Sequence, residues 1–331
     1  MNNPSRSVTI LLALGVIALA VFPRFGESFY VDLVVRMMIL GIFAMSLDLL
    51  IGFTGLISFG HAAFFGLSGY LLAISTPETG PVSIWLALPL CLLGSALAAL
   101  VIGWFSVRTS GIYFIMITLA FAQMLFYFFN DNTALGGSDG LFIYFKPGVS
   151  VGGVTLLNLD NVNTLYYVVL ASLIGAYALL RVILRSPFGR VIQGIRANEA
   201  RTRALGFATF RYKLVSFVIA GTLAGFAGFL QGVHGGIMSP AYLGWHESGT
   251  VLMMVILGGI GTLYGAVLGA FAMVFLQDWF QELTEHWLLL MGGFVIAVVL
   301  FLPNGIAGLP HQIGALFTRR TARPPPERHG E

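Results

Sequence analysis

Charged residues are scarce in this chain, which has 17 basic and 14 acidic residues among 331 and a mean hydropathy of +0.90. A water-soluble domain of this size needs far more polar surface, so a soluble globular protein is excluded. The two lysines, Lys146 and Lys213, each follow an aromatic residue, so neither completes a G-x-x-x-x-G-K-[ST] phosphate loop. The chain therefore carries no signature of nucleotide hydrolysis, and we expect no enzymatic activity of its own.

Cysteine and metal-binding patterns are also missing. The one cysteine, Cys91, lies in an apolar run, which excludes an intramolecular disulfide and predicts a buried small side chain. The six histidines show no HExxH motif or paired ligand spacing, so we predict no metal and no cofactor. The net charge of +3 comes from one basic segment and the tail, which indicates membrane orientation and no nucleic-acid partner.

Long apolar runs make up most of the chain and predict an all-α polytopic protein of the lipid bilayer. We expect about ten transmembrane or half-membrane helices within residues 1–310 and a basic, disordered tail over 311–331. The runs are Val8–Phe22, Val31–Ile51, His61–Ile74, Val82–Val107, Gly111–Asn130, Thr164–Leu184, Tyr212–His234, the interrupted Gly249–Phe280 and Trp287–Leu302. The first run also fits a cleavable signal peptide. We favour a retained span because everything after it is polytopic.

The basic residues predict the orientation. Arg181–Lys213 holds eight of the 17 basic residues and only one acid, Glu199, between apolar runs. Such a segment stays on the cytoplasmic side. With the tail on the same side, Glu78, the loop Asp131–Asn163 and the turn Gln281–His286 fall outside. Both termini are then cytoplasmic.

The basic segment also contains helix signals. Ser186-Pro187 begins one element, and Asn198 can cap a short helix with Glu199 in its first turn. Ala204-Leu205-Gly206 gives that helix a small apolar edge and a stop. The segment is either a basic surface helix on anionic lipid or a short helix that docks into a soluble partner.

Two glycine clusters interrupt apolar segments at corresponding places. Gly52, Gly55 and Gly60 recur as Gly258, Gly261 and Gly265 with a spacing one residue shorter. Two glycine-broken helix pairs in pseudo-repeated halves are typical of a central pathway, whereas small residues also serve close helix packing. The candidate pathway residues are Asp48, Gly52, Gly55, Ser58, Gly60, His61, Gly258, Gly259 and Gly261.

Few charges lie inside the predicted spans. Asp32 and Arg36 stand four residues apart, in the order that favours a neutralising pair. Asp48 precedes the first glycine break and is either functional or a capping residue. In the loop predicted to lie outside, Gly136-Gly137-Ser138-Asp139 is either an ordinary glycine-rich turn or a contact site for a molecule that arrives from outside.

Seven segments carry a family resemblance. They are GFTGLISFGHAAFFGLSGY (Gly52–Tyr70), GIYFIMITLAFAQ (Gly111–Gln123), GGSDGL (Gly136–Leu141), SPFGRVIQGIRANEARTRALGF (Ser186–Phe207), RYKLVSFVIAGTLAGFAG (Arg211–Gly228), VILGGIGTLYGAVLGA (Val255–Ala270) and LPNGIAGL (Leu302–Leu309). In this order, over nearly the whole chain, they resemble the LivM-type permease subunit of branched-chain amino acid ABC importers.

The resemblance implies a permease that acts with a LivH-like second permease, two cytoplasmic ATP-binding subunits and an extracytoplasmic solute-binding protein. It implies a cytoplasmic coupling loop at 185–211, and a contact with the binding protein at Gly136, Gly137, Ser138 and Asp139. The implied ATPase-coupling residues are Arg196, Asn198, Glu199, Ala200, Ala204, Leu205 and Gly206. Here the sequence departs from the wider permease pattern, because Arg201 replaces an alanine and the Glu-to-Gly spacing is one residue longer.

The implied substrate is a branched-chain or similar small hydrophobic amino acid, moved inward by alternating access. Related permeases also serve urea, amides and aromatic acids. A self-contained, ion-coupled carrier is the competing class, in which the basic loop only orients the protein.

Overall fold

The computed structural model describes residues 6–77, 79–151, 154–302 and 305–308. The predicted tail, 311–331, and Glu78 lie outside these residues. The described helices are α1 (Arg6–Val21), α2 (Ser28–Asp48), α3 (His61–Ser75), α4 (Ile84–Ser106), α5 (Ile112–Asn130), α6 (Val162–Arg185), α7 (Pro187–Ala197), α8 (Glu199–Ala204), α9 (Thr209–Gly235), α10 (Trp245–Gly258), α11 (Leu263–Leu283) and α12 (Trp287–Phe301).

Seven helical segments of the described chain are long and apolar enough to cross a membrane. They include α2, α4, α5, α6, α9, α11 and the segment that begins with α12. The helices α1, α3 and α10 are shorter, with 16, 15 and 14 residues. The prediction of an all-α polytopic membrane protein is thus confirmed.

Helices α2 and α9 form the centre of the bundle. Most of their residues are buried, and α9 packs against α2, α3 and α4. Small residues on α9 make this packing close, because a Cβ added at Gly221 would lie 2.6 Å from the Ala99 Cβ. Close backbone approach through small residues is how helices associate in lipid, where apolar burial gives little driving force.

The outer surface of the bundle is apolar. Helices α4, α5 and α12 each expose large hydrophobic side chains along most of their length, including Leu93, Met116 and Leu300. A soluble protein would bury such residues, so lipid is the solvent that these faces require.

Short strands tie together the loops at one end of the bundle. Leu141–Phe142 (β1) pairs with Ile237–Met238 (β4), and Val149–Val151 (β2) pairs with Val154–Leu157 (β3). A bridge between Ser83 and Gly148 joins the loop before α4 to the same end. The loop before α4 and the loop Asp131–Asn163, two of the regions that charge assigns to the outside, therefore lie at the same end.

One predicted pairing is wrong. The Asp32 carboxylate instead contacts the imidazole of His234 at the end of α9, with 3.2 Å between Oδ1 and Nε2. No ion pair joins Asp32 to Arg36 within the described residues. The reason is tertiary: packing of α9 against α2 brings a closer partner than the neighbour one helical turn away.

Candidate functional site

The first glycine break follows α2 directly. The helix continues from Asp48 into one π-helical turn, Leu49–Thr54, and stops at Gly55. Gly55 has a φ of +81°, a left-handed conformation that side chains disfavour, so glycine is required here. A π-helical turn inside a helix is uncommon and is found mostly at functional sites.

The second break separates α10 from α11. Helix α10 ends at Gly258, and Gly261 has a φ of +82° before α11 begins at Leu263. The Thr262 hydroxyl donates a hydrogen bond to the Gly259 carbonyl at 2.6 Å, which closes the turn. Tight packing surrounds the break, because a Cβ at Gly258 would lie 3.0 Å from the Ala266 nitrogen on α11.

The two breaks lie against each other. The Asp48 Oδ1 accepts a hydrogen bond from the Gly261 N–H at 2.8 Å. A Cβ added at Gly52 would lie only 2.5 Å from the Gly261 nitrogen and 2.6 Å from its Cα. Residues more than 200 positions apart therefore form one contact, which only glycine at position 52 permits.

Arg196 of α7 completes this contact. Its guanidinium donates a hydrogen bond to the Gly52 carbonyl. A Cβ on Gly55 would lie 3.2 Å from the Arg196 Cγ, and one on Gly261 would lie 3.3 Å from Nη1. We call the five residues Asp48, Gly52, Gly55, Arg196 and Gly261 the glycine joint. Three separate segments meet in it: the two breaks and the end of α7.

The start of α3 is buried beside the joint. His61 is fully buried, stacks on Phe43 with 5.6 Å between ring centroids, and has Nε2 2.8 Å from the Ser46 hydroxyl. That hydroxyl donates to the Phe43 carbonyl at 2.6 Å, so it accepts from His61, which assigns the Nε2–H tautomer. His61 therefore joins α3 to the last two turns of α2.

Ser58 and Gly60 shape the chain between the first break and α3. The Ser58 hydroxyl accepts a hydrogen bond from the Gly60 N–H at 3.3 Å. A Cβ on Gly60 would lie 3.2 Å from the Thr118 Cβ and against its backbone. The Ala62 N–H donates to the Ser248 hydroxyl at 2.9 Å, so α3 is also joined to α10.

The short helix α8 has the predicted cap. The Asn198 Oδ1 accepts a hydrogen bond from the Arg201 N–H at 2.9 Å. The Glu199 carboxylate accepts from Arg203 at 3.0 Å, Thr209 at 3.1 Å and Lys213 at 3.1 Å. Partial burial raises the pKa of Glu199, but these hydrogen bonds and the Lys213 charge outweigh it, and the net pKa lies below 4.5. Glu199 thus fastens α8 to the start of α9.

A small apolar face, beside the exposed Arg201, is formed by residues of α8 and by the two residues that follow it. Ala200, Ala204 and Gly206 are exposed, and Leu205 is 72% exposed. The contact with the joint and this face are close together along the chain, since Arg196 lies in the last turn of α7, three residues before α8 begins. Of the predicted coupling residues, Arg196 reaches inward while Ala200, Ala204, Leu205 and Gly206 face outward.

The predicted outside turn lies at the opposite end of the bundle. Gly136 and Gly137 have positive φ, and Ser138 and Asp139 are exposed, with the Ser138 hydroxyl 3.3 Å from the Asp139 Oδ1. A Cβ on the next residue, Gly140, would lie 2.8 Å from the Ser239 Cα. The turn is therefore packed against the segment between α9 and α10.

Sequence patterns found the glycines of the joint but missed its side-chain contacts. Nothing near Arg196 in the sequence distinguishes it from the seven other basic residues of its segment. Ser46 and Ser248 were also missed, because isolated serines in apolar helices carry no pattern. The helix dipole and spacing rules that identified Asn198 and Glu199 act locally, which is why those two were found.

These features define a polytopic helical membrane protein whose two glycine breaks meet beside the basic helices α7 and α8. Residues 29–301 match the family described as branched-chain amino acid transport system / permease component, and the chain belongs to this family.

Several curated proteins are similar. The high-affinity branched-chain amino acid transport system permease protein LivM of Salmonella typhimurium is 30% identical over 89% of this chain and 74% of its own length. The corresponding LivH of the same organism is 24% identical over 81% of this chain and 90% of its own. The autoinducer 2 import system permease protein LsrC of Klebsiella pneumoniae is 34% identical over 34% of this chain and 33% of its own. No solved structure matches the chain.

Proposed function

We propose that this chain is the membrane-spanning permease subunit of an ATP-driven importer that moves branched-chain or similar small hydrophobic amino acids inward. The observation that carries the proposal is that Arg196 of α7 contacts the glycine joint, while the small apolar face of α8 is exposed a few residues further along the chain. The family membership and the names of the LivM and LivH relatives support the substrate class. Urea, amides and aromatic acids are the alternative substrates.

The family membership and the LivM and LivH relatives support the expected partners, and the chain has no phosphate loop of its own in its sequence. Two cytoplasmic ATP-binding subunits supply the energy, a LivH-like permease forms the other half of the pathway, and an extracytoplasmic binding protein delivers the solute. Residues 1–310 form the permease domain, 185–211 the coupling loop and 311–331 a cytoplasmic tail.

We place the α7–α8 end in the cytoplasm of a bacterial cell, together with both termini. Eight basic residues in Arg181–Lys213 support this orientation. The strand-paired loops then lie outside, and the exposed Ser138 and Asp139 beside Gly136 and Gly137 are positioned to contact the binding protein.

In the proposed mechanism, the ATP-binding subunit displaces α8 and α7, and Arg196 passes this displacement to the carbonyl of Gly52. Asp48 transmits it to Gly261, so that both breaks move together. The breaks are suited to this role because glycine backbone without side chains bends at little steric cost. The helices that adjoin the joint then tilt and open the pathway to one side of the membrane at a time.

Copurification tests the proposal. The tagged chain is expressed with its second permease and ATP-binding subunits, and retention of the ATPase is measured for wild type and for Leu205→Asp. A charge in the apolar face removes the ATPase, whereas Leu157→Asp, at an exposed leucine of the opposite end, retains it. Retention by both variants overturns the assigned docking face.

The competing carrier hypothesis has its own readout. The chain is reconstituted alone in liposomes with an ion gradient, and uptake of leucine is followed. Transport by the chain alone would replace the ATP-driven mechanism, whereas the proposal expects uptake only when the partners, ATP and binding protein are present.

A further inference from the structure

A cavity of about 320 Å³ lies where the turn between α4 and α5 meets α8 and the start of α9. Three basic side chains line it, Arg108, Arg203 and Lys213, against one acid, Glu199. The Ser110 hydroxyl also lines it, whereas the hydroxyls of Thr109 and Thr209 already donate to the Ser106 carbonyl and to Glu199. The cavity is therefore cationic, and its volume is in the range of small-ligand pockets.

The position of the cavity is fixed by the helices that end there. α4 and α5 are both span-length helices with mostly unburied faces, and the turn between them must lie at the edge of the hydrocarbon layer. The first residues of α5 point outward, since Ile112 is 72% and Tyr113 73% exposed. The cavity thus opens at the depth of lipid headgroups, next to a surface covered by acyl chains.

Arg108 is held at this level by aromatic rings. Its guanidinium carbon lies 4.8 Å from the Trp104 ring centroid and 5.8 Å from that of Phe210. Glu199 is already bound by Arg203 and Lys213, and no carboxylate pairs with Arg108 within the described residues. A guanidinium stacked on tryptophan at the membrane interface keeps its donors available for an anion.

Helix geometry adds to the positive potential. Thr209 and Phe210, which line the cavity, are the first residues of the 27-residue helix α9. Thr109 and Ser110 lie just before the 19-residue helix α5. The starts of helices carry partial positive charge, so both helices favour an anion in the same place as the basic side chains.

We propose that this cavity binds the headgroup of an anionic phospholipid, with the phosphate near Arg108 and the acyl chains along the exposed faces of α4 and α5. Basic pockets between transmembrane helices are suited to such headgroups. The site is independent of the transported solute and does not rest on the proposed transport function.

Photocrosslinking tests the lipid site. The purified importer complex is placed in phosphatidylcholine nanodiscs that contain either photoreactive phosphatidylglycerol or photoreactive phosphatidylcholine, and crosslinked peptides are mapped by mass spectrometry. In wild type we expect phosphatidylglycerol to label residues 107–113 or 209–213 about fivefold more than phosphatidylcholine, the effect of one basic residue at an anionic surface. This comparison needs no variant to fold.

Variants then assign the site to Arg108. Arg108→Gln is expected to lower the phosphatidylglycerol labelling about fivefold and Arg108→Lys to keep most of it. Arg190→Gln, an exposed cation of α7 outside the cavity, leaves it unchanged. Equal labelling by the two lipids in wild type overturns the proposal, as does an equal loss in Arg108→Gln and Arg190→Gln. Unchanged labelling in Arg108→Gln with loss of the ATPase assigns the cavity to an acidic side chain of a partner subunit instead.

Discussion

Gly52 shows how one residue can hold two halves of a chain together. Its missing side chain leaves room for Gly261, and its carbonyl receives the Arg196 guanidinium. The sequence predicted that Gly52 and Gly261 belong to equivalent breaks, because glycine clusters in long apolar runs form a visible pattern. It did not predict that the breaks touch, since contacts between residues so far apart depend on the packing of whole helices.

Alanine at position 52 tests this contact. A Cβ 2.5 Å from the Gly261 nitrogen forces the breaks apart, and overpacking of this kind costs about 1–3 kcal/mol. We expect Gly52→Ala to lower the apparent melting temperature of the purified chain by about 2–4 °C for each kcal/mol. Gly175→Ala is the matched control, because nothing lies within 4 Å of its added Cβ and alanine favours a helix. Equal melting temperatures for the two variants would contradict the joint.

The helix pair α7–α8 was largely predictable as an element. Its start at Pro187, its Asn198 cap and its end before Gly206 follow from local rules, and all three are present. Arg203 pairs with Glu199 at the local i,i+4 spacing, whereas Lys213 was not predictable as a partner. Lys213 lies on a different helix, whose packing brings it within 3.1 Å of Glu199. Local residue preferences therefore determine where α7 and α8 begin and end, and tertiary packing determines which residues of other helices they contact.

The Glu199 contacts predict how α8 responds to pH. The pKa of Glu199 in the folded chain lies below its ordinary value of 4.5. The carboxylate therefore stabilises α8 fully above pH 4.5, and this stabilisation is lost as the pH falls through the lowered pKa. Amide-exchange protection of residues 198–206, corrected for intrinsic rates, should be constant down to about pH 5 and fall below it. Glu199→Gln should give weaker protection of these amides without this pH dependence. A wild-type protection profile that stays flat through the acid range would contradict the role of the Glu199 carboxylate in stabilising α8.

At the scale of the whole molecule, charge and hydrophobicity predicted the helix order and which loops share an end. Residues at one end are joined by the pairing of β1 with β4, and those at the other end meet in the cavity between α8 and the α4–α5 turn. Hydropathy alone could not show that the region Gly249–Phe280 forms two helices. Its 32 residues are too many for one span and too few for two full spans. The glycine pattern resolved this, since it marked where the chain turns.

Cysteine labelling tests the orientation. Cys91 is buried, so the natural chain gives little background with a membrane-impermeant maleimide. Asp139→Cys should react in intact cells with a permeabilised outer membrane, whereas Ala200→Cys should react only after the inner membrane is opened. Both positions are exposed in the described structure, so accessibility reports the side of the membrane alone. The reverse labelling pattern would invert the assigned topology.

The central claim is that Arg196 carries movement of the coupling helices into the glycine joint. The direct measurement is the number of amino acid molecules taken up per ATP hydrolysed by the complete importer in proteoliposomes supplied with its binding protein. Loss of a hydrogen bond from a charged group costs about 1.5–3 kcal/mol, so Arg196→Gln should lower uptake per ATP by at least about tenfold. Hydrolysis itself should stay within about twofold, and Arg190→Gln on the same helix should match wild type in both rates. Unchanged uptake per ATP in Arg196→Gln would contradict the account.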